Sequence, residues 1–194
     1  MIGVLALQGG FHAHLDMLRR LDVPSREVRL PRDLIGLDGL ILPGGESTTM
    51  LKLLKAFDLF EPLREFGLTG KPILGTCAGA ILMCETVNFR NQESLGFIPA
   101  SIDRNAYGSQ QESFRADTSI PMWNLSAVPA LYIRAPRFHS LSDDVKVIST
   151  HDGDITGVTW RNFTAVTYHP ELGDDLAFHQ AWLDQYVNQG ALVS

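Results

Sequence analysis

Residues 71–83 read "KPILGTCAGAILM", and the way this stretch divides decides the fold. "KPIL" (71–74) is a short apolar run bounded by turn residues, as a buried strand is. "AILM" (80–83) continues as an apolar segment of helical character. Between them, Gly75 and Gly79 flank Cys77, permitting a tight backbone path and a close approach of helix to strand. The unit is strand, turn, helix, with a cysteine on the turn.

The unit recurs toward the N-terminus. "IGVLAL" (2–7) reads as a strand, and "FHAHLDMLRRL" (11–21) as a helix with Phe11, Leu15, Leu18 and Leu21 on one face. "REVRL" (26–30) is a second strand. "DGLILPGG" (38–45) is a buried strand ending in a turn, and "STTMLKLLKAF" (47–57) a helix with Ser47 as its expected N-cap. "FEPLREFG" (60–67) adds a further helical turn or two. Such alternation implies a mostly parallel central sheet with helices on both faces.

The pattern changes from about residue 94 to residue 168. "LGFIPASIDR", "ESFRAD", "ALYIRAP", "VKVIST", "ITGVTW" and "FTAVTYH" are short, β-branched and separated by turn signals such as Asp152-Gly153. They are expected as strands, several in antiparallel hairpins that extend one side of the sheet. A closing helix over 174–190 starts with acids and ends at Gly190. No repeat or low-complexity tract interrupts the chain, so the expectation is one α/β domain over residues 1–194.

Composition narrows the function. A net charge of -6 and a pI near 5.4 argue against nucleic acid or an anionic membrane as the main partner. "MIGVLALQGG" (1–10) lacks the positive start of a signal peptide, and no apolar run approaches the roughly 20 residues that span a bilayer. The two cysteines, Cys77 and Cys84, read as two helical turns apart in one segment, too far to bridge. The reducing cytoplasm is the expected compartment, in which the sequons at Asn124 and Asn162 are chance matches.

In doubly wound sheets ligands bind beyond the carboxyl ends of the strands, where Cys77 is placed. Its turn resembles a nucleophile elbow with cysteine in place of serine. A helix N-terminus favours a thiolate and offers backbone N–H groups to an anion. Cys84, read as lying inside the apolar helix, suits a buried small hydrophobe instead.

A cysteine nucleophile needs a base and a group to orient that base. "AVTYHPEL" (165–172) is an apolar strand running into His169-Pro170-Glu171; two residues apart in an extended chain, imidazole and carboxylate share one side. His12 and His14 do not share a helix face and are not expected to bind metal, and His139, His151 and His179 lack ligand partners at metal spacing. "HDGD" (151–154) reads as a hairpin turn rather than a cation site. "LPGGESTT" (42–49) lacks the lysine of a phosphate loop, and its glycine N–H groups suit an oxyanion.

Taken together, "PGGEST", "GTCAGA" and "HPE" resemble the class I, triad-type glutamine amidotransferases. "GVLALQG", "PGGESTT", "RNAYG" (104–108), "YIRAP" (132–136) and "HPEL" are similar to blocks of one branch, the glutaminase subunits of pyridoxal 5'-phosphate synthase. Ala13, Pro99 and Ser109 depart from the residues usual in that branch.

The resemblance implies glutamine hydrolysis by Cys77, His169 and Glu171, with the oxyanion held near Gly45 and Ala78. It implies a glutamine pocket lined by Gly45, Glu46, Ser47, Arg104, Ile133 and Arg134, either arginine being a fit partner for the substrate carboxylate. It implies no metal or organic cofactor, and a separate synthase subunit that receives the ammonia. Gln8, at the end of the first strand, is the expected relay of contact with that partner. Two other classes stay open: a related cysteine γ-glutamyl hydrolase, and a non-catalytic binding module.

Overall fold

The computed structural model of the chain describes residues 1–88, 92–104 and 113–187. The first half supplies strands β1 (Ile2–Leu5), β2 (Ser25–Val28), β3 (Gly39–Leu42), β4 (Ile73–Thr76) and β5 (Cys84–Asn88). The second supplies β6 (Ile98–Asp103), β7 (Ser113–Ile120), β8 (Leu125–Ile133) and β9 (Arg137–Leu141), then β10 (Lys146–His151), β11 (Asp154–Trp160) and β12 (Phe163–Val166). The helices are α1 (Phe11–Arg20), α2 (Ser47–Ala56), α3 (Phe60–Leu68), α4 (Ala78–Met83) and α5 (Ala177–Trp182).

Seven strands form the central sheet in the order β10-β11-β12-β4-β3-β1-β2. From β2 to β12 the neighbours run parallel, and β11 and β10 then continue antiparallel. β1, β3, β4 and β12 are buried along their whole length, as short apolar runs must be when both faces are covered. Residues alternate between the two faces. Leu5, Leu40, Leu42, Ile73 and Ala165 join a core with Met50 and Leu54 of α2, Leu63 of α3 and Leu82 of α4. Ile2, Val4, Ile41, Leu74 and Val166 join a second core with Leu18 of α1 and Phe178 and Trp182 of α5. Helices thus cover both faces, as the alternating pattern predicts.

Three expectations need correction: the cap of α2, the place of Cys84, and the start of the closing helix. Ser47 does not cap α2: Glu46 does, its carboxylate accepting from Thr48 N at 3.3 Å and Thr49 N at 2.7 Å. Cys84 is not inside the helix. α4 ends at Met83 and Cys84 opens β5, because "CETVN" finds a parallel partner in β6. Both cysteines are buried and free, but helix spacing is not what separates them.

The expected antiparallel extension is present on one side of the central sheet, where β11 and β10 follow β12. Among the described residues β5-β6-β9 and β7-β8 form two separate small sheets, and β9 carries no pattern that marked it in advance. The closing helix begins at Ala177, after Asp175 caps its amide, and passes into a π turn at Leu183–Val187. Its expected end at Gly190 lies outside the described residues. The Asp152-Gly153 hairpin turn is present, with φ 48° and 85°, joining β10 to β11.

Candidate active site

β3, β4 and β12 are neighbours and parallel, so their carboxyl ends meet at one rim of the sheet. Each end carries one of the three sequence motifs: Gly44–Ser47 after β3, Cys77 after β4, and His169–Glu171 beyond β12.

Cys77 has φ 48° and ψ -104°, a backbone conformation that costs a non-glycine residue about 1–3 kcal/mol. The strain is held on both sides: Cys77 N–H donates to the Val166 carbonyl at 2.9 Å, and its own carbonyl accepts from Ile81 N at 3.1 Å. Tight packing of α4 on β3 locks the elbow further, since a Cβ on Gly79 would overlap the Leu42 carbonyl. The thiol is nearly buried, at 7% exposure.

His169 N–H donates to the Leu131 carbonyl of β8 at 2.8 Å, which fixes the start of the turn that follows. Pro170–Leu172 forms a 3-10 turn, so imidazole and carboxylate meet through a turn and not through extended alternation. His169 Nδ1 lies 2.7 Å from Glu171 Oε1, and the His169 side chain lies beside that of Cys77. Burial disfavours the imidazolium, but the interactions with the Cys77 and Glu171 side chains outweigh it, raising His169 to about 10. Burial would likewise raise Glu171. His14 and His169 instead hold it well below the ordinary carboxylate range. At neutral pH this corner holds an imidazolium clamped to a carboxylate beside a sulfur, the partner that a thiolate needs.

The glycine turn is built against the same histidine. A Cβ on Gly44 would fall 2.9 Å from His169 Nδ1 and 3.2 Å from Nε2. The Gly44 carbonyl accepts from Gly10 N–H at 2.9 Å, and Gln8 Oε1 accepts from Glu46 N–H at 2.9 Å. The loop after β1 therefore tethers the loop after β3 at two points, which brings Gln8 to this rim.

Next to it, Arg104 donates to Glu46 Oε1 at 2.7 Å and to Gln92 Oε1 at 2.9 Å, and Ser47 Oγ donates to the same Gln92 oxygen at 3.2 Å. Burial would raise Glu46, but Thr48 and Thr49 donate to it and lower it to about 2. Ile133 ends β8, and Arg134 follows at φ 42° with its side chain exposed. The rest of the "RNAYG" block, and Ser109 with it, lies outside the described residues.

Four residues at this site were not assigned to it from the sequence: Gln92, Thr76, His14 and His179. Gln92 sits in a loop with no periodic signal. His14 and His179 had one: each is a fully buried polar residue on the apolar face of its helix. Cys84 lacks the chemistry of Cys77, because complete burial pushes its thiol far up.

The chemistry available is that of a buried, oriented thiol–imidazole–carboxylate set with glycine amides beside it. The SNO glutamine amidotransferase family model matches residues 4–188. The chain is similar to a pyridoxal 5'-phosphate synthase subunit PdxT of Shouchella clausii, 43% identical over 98% of this chain and 97% of the relative. It is also similar to the PdxT subunit of Thermotoga maritima, 43% identical over 94% of this chain and 97% of the relative. A crystal structure of a glutamine amidotransferase superposes with a TM-score of 0.89 at 37% identity, covering 94% of this chain and 97% of that one. PurLQS of Thermotoga maritima shares the fold, with a TM-score of 0.69 at 18% identity over 95% of this chain and 97% of that one.

Proposed function

Because this chain belongs to the SNO glutamine amidotransferase family, we propose that it hydrolyses L-glutamine to L-glutamate and ammonia, and passes the ammonia to a synthase subunit that makes pyridoxal 5'-phosphate. One observation carries the catalytic assignment: Cys77 sits on a strained elbow beside a histidine whose Nδ1 is 2.7 Å from buried Glu171.

In the first half-reaction the Cys77 sulfur attacks the side-chain amide carbon, and the amide oxygen becomes an oxyanion. Backbone N–H groups of Gly45 and Ala78 receive that charge. His169 gives its proton to the leaving nitrogen, the C–N bond breaks, and ammonia departs from a thioester. His169, now neutral, takes a proton from water, which attacks the thioester and releases glutamate. Glu171 keeps the ring oriented and stabilises the imidazolium at the start and end of the cycle. The pocket for the amino-acid end of glutamine is assigned to Gly45, Glu46, Ser47, Arg104, Ile133 and Arg134. Arg104 is already engaged by Glu46 and Gln92, so substrate binding there exchanges one carboxylate partner for another.

The partner assignment rests on what the PdxT relatives are named as, subunits of a synthase. We read residues 1–194 as a single glutaminase domain, supported by β12 lying between β4 and β11 in one sheet. Two free cysteines fit the reducing cytoplasm as its compartment.

The test is glutamate release in the presence of saturating synthase subunit. Wild type is expected to turn over and Cys77→Ala to be inactive. Near-normal turnover by Cys77→Ala would remove the assignment.

A further inference from the structure

His14 on α1 and His179 on α5 are both fully buried, and the mechanism above uses neither. His14 Nδ1 lies 3.0 Å from His179 Nε2, and His14 Nε2 lies 3.2 Å from Thr76 Oγ1. Thr76 Oγ1 and His14 Nε2 each lie 3.5 Å from Glu171 Oε1, the oxygen that also faces His169. Among the described residues, Glu171 Oε2 and His179 Nδ1 have no hydrogen-bond partner. These are the groups that face His14: His179 from α5, Thr76 from β4, and Glu171 from the turn after β12, with His169 beyond it.

Counting hydrogens gives the chain a direction. An ionised Glu171 only accepts, so the single hydroxyl hydrogen of Thr76 points at Oε1. Thr76 then accepts from His14, which places a hydrogen on His14 Nε2. His14 Nδ1 is left as an acceptor, and His179 donates to it from Nε2. The partnerless His179 Nδ1 is then a bare lone pair. Reversing the chain, or protonating both nitrogens of His14, would make that atom an orphaned buried N–H, the rarer and costlier arrangement. A doubly protonated His14 would also add a second cation to a site that already holds one.

We propose that His179, His14 and Thr76 form a one-way chain of hydrogen-bond donors ending on Glu171 Oε1, and that His14 is thereby a positioning residue for His169. With every donor converging on one oxygen, the carboxylate is held ionised and cannot rotate its other oxygen toward the imidazole. The catalytic part of this proposal rests on the glutaminase reading; the donor chain itself does not.

The direct test is NMR of the wild-type chain with ¹⁵N-labelled histidine at neutral pH. His14 and His179 are expected as neutral rings carrying hydrogen on Nε2. Hydrogen on Nδ1 of either ring overturns the chain. The catalytic test is His14→Leu with the synthase subunit present. Its kcat falls about tenfold, the worth of one hydrogen bond felt in the transition state, with KM unchanged. The acid limb of its kcat/KM profile moves upward, because Glu171 has lost a donor. His14→Gln, whose amide can donate to Thr76 and accept from His179, restores most of both.

Wild-type kinetics in His14→Leu, or a His14→Gln as poor as His14→Leu, would overturn the positioning role. Should His14→Leu fail to fold, His179→Leu removes only the first donor and must still shift the acid limb upward; an unmoved limb overturns the role. Nε2-protonated rings in a wild type that hydrolyses no glutamine would uphold the chain and overturn the glutaminase reading.

Discussion

Replacing Gly44 by alanine removes no chemical group and adds one methyl, yet it should disable the enzyme. The new Cβ would overlap His169 Cε1, its closest neighbour, and lie 2.9 Å from Nδ1 and 3.2 Å from Nε2. A carbon needs about 3.5 Å or more from such neighbours, so the ring or the loop must retreat by roughly 1 Å at its closest point. The loop resists, because the Gly44 carbonyl is tied to Gly10 N–H at 2.9 Å, a bond worth about 1 kcal/mol. The ring therefore moves, and its contact of 2.7 Å with Glu171 and its placement beside Cys77 go with it. A displacement of about 1 Å at a reacting group costs about 10²-fold in rate.

Gly44→Ala is expected to lower kcat by about that factor while KM changes little, since no glutamine contact is assigned to its side. The overpacking itself should cost about 1–3 kcal/mol of stability, which leaves a folded protein. The assay is steady-state glutamate formation with saturating synthase subunit, alongside a thermal melt followed by circular dichroism. A folded Gly44→Ala with wild-type kcat would refute the placement of His169 against this turn.

Three further outcomes follow from the same geometry. The alkaline limb of the wild-type kcat/KM profile should lie near pH 10, where His169 loses its proton; Glu171→Gln should pull it toward 6.5, and an unmoved limb would contradict the pairing. In stability, the raised His169 contributes fully below pH 6.5 and loses its share as pH rises through about 10. The lowered Glu171 contributes above 4.5 and loses its share as pH falls, so melts of wild type and Glu171→Gln should differ most between those limits. Gln8→Ala frees Glu46 N–H from its 2.9 Å tether and should lower turnover measured with the synthase subunit present; undiminished turnover would exclude Gln8 as a relay.

Much of this was legible before any coordinates, and particular residues say why. β1, β3 and β4 are continuous apolar runs ending in glycine-bearing turns, a local signal that needs no tertiary information. Cys77, His169 and Glu171 were readable because each sits near residues that decide the local backbone: glycines that allow a tight turn around Cys77, and a proline that fixes the chain between His169 and Glu171. What escaped was set by distant pairing. Cys84 leaves the helix because β6, residues Ile98–Asp103, offers a strand to join, and nothing local announces it. Ser47 loses the cap to Glu46, whose carboxylate reaches two amides.

His14 was weighed only as a metal ligand, against His12. Its spacing from Phe11, Leu15 and Leu18 puts it on the apolar face of α1, where a polar ring must find a buried partner. The partners come from 62, 157 and 165 residues away, at Thr76, Glu171 and His179, so the network could be suspected but not drawn.

The central claim is that Cys77 is the nucleophile, and a covalent label tests it most directly. The chain, with its synthase subunit present, is treated with a glutamine-mimicking electrophile and its peptides are analysed by mass spectrometry. The account predicts one adduct, on Cys77, with glutaminase activity lost in proportion to labelling and Cys84 unmodified in its fully buried site. Labelling of Cys84, or continued hydrolysis by a chain fully modified at Cys77, would contradict it.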